Sequence, residues 1–159
     1  MQFNDMGGLA GFVVAAGVAA SSGIGFKPGR WYETLHKPGW TPARWVFPVV
    51  WTPLYMMMAV SGWLVWRRAG FVPVPFAFYA AQLSFNAAWS GFFFGLRRPD
   101  LAFVDLVLMW VTIVGTISGF APISTAAAWL LMPYLLWVTI AGALNVSVWR
   151  LNRDRLARA

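Results

Sequence analysis

The chain has 159 residues, 60% of them hydrophobic and only 11% charged, which is too little polar surface to cover a soluble globule of this size. It contains no cysteine, which excludes a disulfide framework and thiolate metal chemistry. A net charge of +7 would suggest nucleic acid in a soluble protein, but its placement between apolar runs assigns it to membrane topology, and no nucleic-acid partner is expected.

Five apolar runs of about 20 residues are each long enough to cross a bilayer as a helix. They fall at about 8–25, 45–66, 74–95, 101–120 and 126–149, followed by a basic tail at 150–159. The connections are short and no Ser/Gly-rich linker intervenes, so a single all-α membrane domain over 1–159 is expected. No Lys or Arg precedes Lys27, and Asp5 stands where the positive region of a secretory signal belongs, which argues against a cleaved leader. In the first run Gly7, Gly11, Ala15, Ala19 and Gly23 form a ladder of small residues that lets another helix approach, within the monomer or across a homodimer. Ala80, Ser84 and Ala88 repeat the device in the third run, and Gly115 and Gly119 in the fourth.

Between the first two runs lies the densest stretch of the chain, WYETLHKPGWTPARWVFPVVWTPLY, from Trp31 to Tyr55. Its tryptophans and tyrosines suit a membrane interface and equally a pocket for a flat aromatic ligand. His36 is the only histidine. Without a cysteine or carboxylate cluster it cannot build a structural metal site. It reads as a solvated loop residue, with axial ligation of a haem iron as the sharper alternative and Met56–Met58 as the source of a second ligand. Pro48 and Pro53 in the second run and Pro133 in the fifth are expected to bend their helices around a cavity.

In the third run Gln82, Asn86, Trp89 and Phe93 share one helical face. A carboxamide at mid-membrane is expensive unless it faces protein, water or ligand, so Asn86 is expected to point inward. An interhelical bond to a carbonyl freed by proline and direct ligand contact are equally weighted roles for it. Asp105, one turn into the fourth run, reads as a helix-start carboxylate rather than a proton relay. Trp51, Tyr55 and Met58 on the second run, Trp110 on the fourth, and Tyr134, Trp137, Ala141, Leu144 and Asn145 on the fifth form further stripes. A single aromatic stripe is usually core packing, but central tryptophans on three helices point to a shared aromatic cavity. No nucleophile beside a base, paired carboxylates or phosphate-cradling glycine loop appears, which argues against hydrolytic and phosphoryl-transfer chemistry.

Charge sets the orientation. Lys27, Arg30, Lys37, Arg44, Arg97, Arg98, Arg150, Arg153, Arg155 and Arg158 fall on one side of the five runs and only Arg67 and Arg68 on the other. The basic side is expected to be cytoplasmic in an inner membrane, with the amino terminus outside.

The loop stretch, AAQLSFNAAWSGFFFG and LLMPYLLWVTIAGALNVSVWRLN occur in an order and spacing that resembles the TspO/MBR family of tryptophan-rich sensory proteins, translocator proteins and peripheral benzodiazepine receptors. The resemblance covers Trp31 to Asn152. It implies a compact, usually dimeric five-helix bundle that binds porphyrin or haem as a ligand, requires no cofactor, and in some members binds cholesterol and aromatic drugs beneath a loop lid. Carried over by position, the ligand-binding residues are Trp40 of the KPGW segment, Trp51 and Tyr55, Asn86 of QLSFN, Trp110, and Trp137, Ala141 and Leu144 of the last element. The sterol motif of the animal proteins lacks its tyrosine here, since Leu144 and Arg150 flank Val146 and Ser147 instead, so sterol recognition is weakly supported.

The leading reading is a sensor or transporter-like receptor in which porphyrin stacks on Trp51 and Trp137 and its propionates meet Lys27, Arg30 or Lys37. A second reading, also implied by relatives, is light- and oxygen-dependent porphyrin breakdown with Trp51 and Trp137 as electron donors. A third is a regulatory membrane partner whose basic tail contacts protein or anionic lipid and whose pocket is incidental.

Overall fold

The computed structural model describes residues 2–26 and 28–156, residues 2–5 by their backbone alone. Five long helices form the body: α1 (Gln2–Gly25), α3 (Val46–Ala69), α4 (Pro73–Ser90), α5 (Pro99–Phe120) and α6 (Thr125–Leu151). Two single-turn helices, α2 (Arg30–Glu33) and α7 (Arg153–Leu156), lie at the basic end, and no strand occurs among the described residues. By length and composition α1, α3, α5 and α6 each qualify as membrane spans. At 18 residues α4 is about 27 Å long, and a π turn, Gly91–Gly95, carries it on toward the ~30 Å of a bilayer core. It carries the polar residues Gln82, Ser84, Asn86 and Ser90, three of them buried inside the bundle. The protein is an integral, multi-pass membrane protein.

Packing closes the five helices into a ring: α1 lies against α3 and α4, α3 against α6, α6 against α5, and α5 against α4. The main core runs through the ring from Phe76, Tyr79 and Phe120 at one end to Leu54, Met58, Leu106 and Met109 toward the other. Some small residues explain the close approaches. A Cβ on Gly62 would stand 2.7 Å from the Phe12 ring and 3.0 Å from Tyr79, and one on Gly115 would stand 2.6 Å from Phe78. Gly115 and Gly119 therefore serve packing of α4 on α5, Gly119 lying against Pro75. The α1 ladder differs, since Gly7, Gly11 and Gly23 have open space at their Cβ positions and only Ala19 is buried. Its glycines face away from the bundle, while Gly8, Phe12 and Ala19 make the helix's inward contacts.

Pro53 and Pro133 lie inside α3 and α6. Pro48, expected to bend the helix, falls in the first turn of α3, where a missing N–H breaks no helical bond. The helix ends also differ from expectation by a few residues, α1 most of all, which begins six residues earlier than its apolar run. Gly70 closes α3 with φ 68° and ψ −153°, a backbone conformation open essentially to glycine alone.

Candidate ligand-binding site

Residues 28–45 cross the basic end of the ring as a lid. Its anchor is Leu35, 6% exposed, which enters a small apolar cluster with Phe93, Ala102, Leu144 and Val148. Trp31 and Tyr32 meet the Phe93 ring edge-on at 6.0 and 6.1 Å. The Lys37 ammonium sits 4.5 Å over the Tyr32 ring and donates to the carbonyls of Leu35 (3.2 Å) and Glu33 (3.4 Å). Arg44 pairs with Glu33 at 2.9 Å. Burial pushes the Tyr32 hydroxyl above the usual phenol range, with the Arg44 charge pulling it back.

Within the bundle is a cavity of about 40 Å³ lined by Phe47 and Trp51 of α3, Asn86 and Trp89 of α4, Leu106 and Met109 of α5, and Trp137, Val138 and Ala141 of α6. Four helices thus contribute, three of them an indole. Asn86 is the polar hub. Its Oδ1 accepts from the Tyr55 hydroxyl at 2.6 Å, and its Nδ2 donates to the Tyr134 hydroxyl at 3.1 Å, which in turn donates to Met109 Sδ at 3.2 Å. Trp51 stacks on Tyr55 at 5.3 Å and meets Tyr134 edge-on at 6.0 Å. The Trp137 ring is edge-on to Phe47, and its indole N–H is buried with no partner among the described residues. An unpaired donor at a cavity wall suits a ligand that brings an acceptor.

Of the residues named from sequence, the structure brings Trp51, Asn86, Trp137 and Ala141 to this cavity, with Tyr55 behind them. Leu144 lies in the apolar cluster under the lid instead. Trp40 is on the lid, 51% exposed. Trp110 is outside the cavity: it is 40% exposed, and its N–H donates to Thr139 Oγ1 at 3.0 Å along the outer seam of α5 and α6. The inward face of α5 is Asp105, Met109, Ile113 and Thr116, and one residue beyond Met109 is a turn of about 100° away from it. Asn86 bonds to two hydroxyls rather than to a carbonyl freed by proline.

Asp105 is 4% exposed, one carboxylate oxygen has no partner among the described residues, and the helix-start carboxylate is Asp100, paired with Arg98 at 2.6 Å. His36 is exposed on the lid, whereas Met58 is fully buried in the main core, so the structure does not bring these two together. Arg30 is exposed at the start of the lid, and Lys27 lies outside the described residues. Phe47, Leu106, Met109 and Val138 were not singled out by sequence. Phe47 stands one turn before Trp51 on the same face, and Met109 one turn after Asp105, so helical phase was the signal that could have found both.

The TspO/MBR family model matches residues 9–150. The tryptophan-rich sensory protein of Cereibacter sphaeroides is 42% identical over 144 residues, covering 91% of this chain and 90% of the relative. Protein CrtK of Rhodobacter capsulatus is 40% identical over 144 residues, covering 89% and 90%, and the translocator protein of Homo sapiens is 40% identical over 149 residues, covering 89% and 88%. With five helices closed into a ring, a tryptophan-lined cavity and similarity along nearly the whole length, the chain belongs to the TspO/MBR family.

Proposed function

We propose that this protein is a membrane receptor or sensor that takes a planar tetrapyrrole, porphyrin or haem, into the cavity beneath the lid. The observation that supports this reading is the convergence of Trp51, Trp89 and Trp137 with the Asn86 carboxamide around one space. Flat apolar walls with a few polar groups are what a large aromatic ring requires. In this reading the basic end faces the cytoplasm of a bacterial cell, and the name of the Cereibacter relative, a sensory protein, accords with the role.

The chemistry of the walls fits a macrocycle, but the room does not in this conformation. Pockets for ligands of drug size have about 300–1,000 Å³, against about 40 Å³ here. Binding therefore entails movement of the lid or of the indoles. Lys37 is already engaged with Tyr32 and two lid carbonyls, so pairing with a propionate falls first to exposed Arg30.

The test is titration of the purified protein with protoporphyrin IX in the dark, following tryptophan fluorescence. Saturable quenching is expected, with Kd raised about 3- to 10-fold by Trp51→Phe or Asn86→Ala, the range of one lost aromatic or hydrogen-bonded contact. Quenching that does not saturate, or that ignores both substitutions, means porphyrin merely partitions into the micelle. Arg30→Gln should weaken protoporphyrin IX more than its dimethyl ester, which has no carboxylates to pair.

One further observation favours a photo-oxidative reading. Trp51, Tyr55, Asn86, Tyr134 and Met109 form an unbroken series of contacts containing four oxidisable side chains. Light-dependent porphyrin loss that disappears in Trp51→Phe while binding persists would support it, and loss at an equal rate in that variant would reduce it to bleaching.

A further inference from the structure

Among the described residues, every hydrogen bond that joins lid residues 28–45 to a residue beyond α3 ends on the carboxyl-terminal side of α6. Asn152 Oδ1 accepts from the His36 N–H at 2.9 Å, and Asn152 Nδ2 donates to the His36 carbonyl at 2.8 Å. The same amide nitrogen donates to the Val148 carbonyl at 2.8 Å, which fixes the side chain against its own helix. Arg155 adds one bond, from Nη1 to the Thr34 carbonyl at 2.7 Å. The remaining side-chain hydrogen bonds of the lid, such as Lys37 to Leu35 and Arg44 to Glu33, stay within it.

Asn152 is 2% exposed, and no other side chain of its size can replace it. Both of its N–H donors and its acceptor are in use, a pattern that neither Asp nor Leu can reproduce. It grips both backbone groups of one lid residue, next to Leu35, whose side chain fills the apolar seat made partly by Leu144 and Val148 of the same helix. The grip and part of the seat therefore come from one end of α6, whose other inward residues, Trp137 and Ala141, line the cavity.

We infer that Asn152, with Arg155 beside it, is the latch of the lid: a positioning residue that touches no ligand, and whose release admits ligands too large for the closed cavity. The admission of ligand rests on the function proposed above; the latch itself rests on the geometry alone. Because the native chain has no cysteine, a single reporter thiol can be placed at the seat. Leu35→Cys should react slowly with a maleimide in detergent or nanodiscs without ligand, at the rate at which the lid lifts. Adding Asn152→Ala or Asn152→Asp should raise that rate about tenfold or more, and Arg155→Ala about two- to threefold, from the number of bonds each removes. Asp retains the acceptor for the His36 N–H but sets an oxygen against two carbonyls, so it should act like Ala.

A second reporter, Val65→Cys, in the fully buried core of α3, separates a lifted lid from a loosened bundle. Its labelling should stay unchanged by the same substitutions. An unchanged rate at Leu35→Cys, or equal acceleration at both thiols, would overturn the latch. In the unlabelled Asn152→Ala variant, association and dissociation of protoporphyrin IX should both quicken. If no porphyrin binds to any form, the proposed function fails while the labelling still decides the latch.

Discussion

Asn86 illustrates what a single residue in a membrane core must satisfy. A carboxamide buried at 5% exposure costs free energy unless its groups are paired, and here two tyrosine hydroxyls from different helices pair them. Tyr134→Phe removes the acceptor of Asn86 Nδ2 and is expected to destabilise by about 1 kcal/mol, near the typical value for a polar contact inside a membrane protein, measurable by thermal or denaturant unfolding in detergent. Sequence showed that Asn86 points inward, because no other orientation is tolerable at mid-span. It did not show the partners, which stand 31 and 48 residues away along the chain. Trp110 marks the opposite limit. Residue type suggested a cavity wall, but its helical phase places it on the α5–α6 seam, and only the inward register of α5 could have told the difference.

At the scale of the element, the five helices were legible because an apolar run of this length has one common fate in lipid. The π turn at Gly91–Gly95 was not, since GFFFG reads equally well as a plain end of helix. Nor was the tie between lid and α6, which joins residues 116 apart. The glycines separate by what surrounds them. Gly62→Ala would drive a methyl into Phe12 and into Tyr79, whose hydroxyl is held by the Met58 carbonyl at 3.0 Å. A loss of about 1–3 kcal/mol is expected from such overpacking. Gly11→Ala meets open space and should stabilise the isolated chain by about 0.5–1 kcal/mol through helix propensity alone. Unfolding curves of the two variants, taken side by side, check both signs.

For the molecule as a whole, charge and fold agree on direction. The lid, the Gly95–Pro99 connection and the end of α6 share one end of the ring, tied by Asn152 to His36 and by Asn145 to the Pro99 carbonyl at 2.7 Å. The described basic residues follow suit, with only Arg67 and Arg68 at the opposite end, where Arg68 bonds to the Ile123 carbonyl. Positive charge collects on the cytoplasmic side of an inner membrane. In a bacterial host, Ala121→Cys should therefore react with an impermeant maleimide on intact cells and Asp154→Cys only after permeabilisation. The reverse pattern would invert the orientation.

The smallness of the closed cavity, about 40 Å³, also governs how affinities measured on this protein compare with one another. A bulky ligand meets only the fraction of molecules in an open conformation, so its apparent Kd is its intrinsic Kd divided by that fraction. An open population of about one in a hundred weakens every such ligand about a hundredfold, whereas a compound small enough for the closed form escapes the factor. A ranking of ligands by affinity would then sort them by size before it sorted them by contacts. Detergent, lipid or temperature that shifts the open fraction would move all the large ligands together while leaving their order intact.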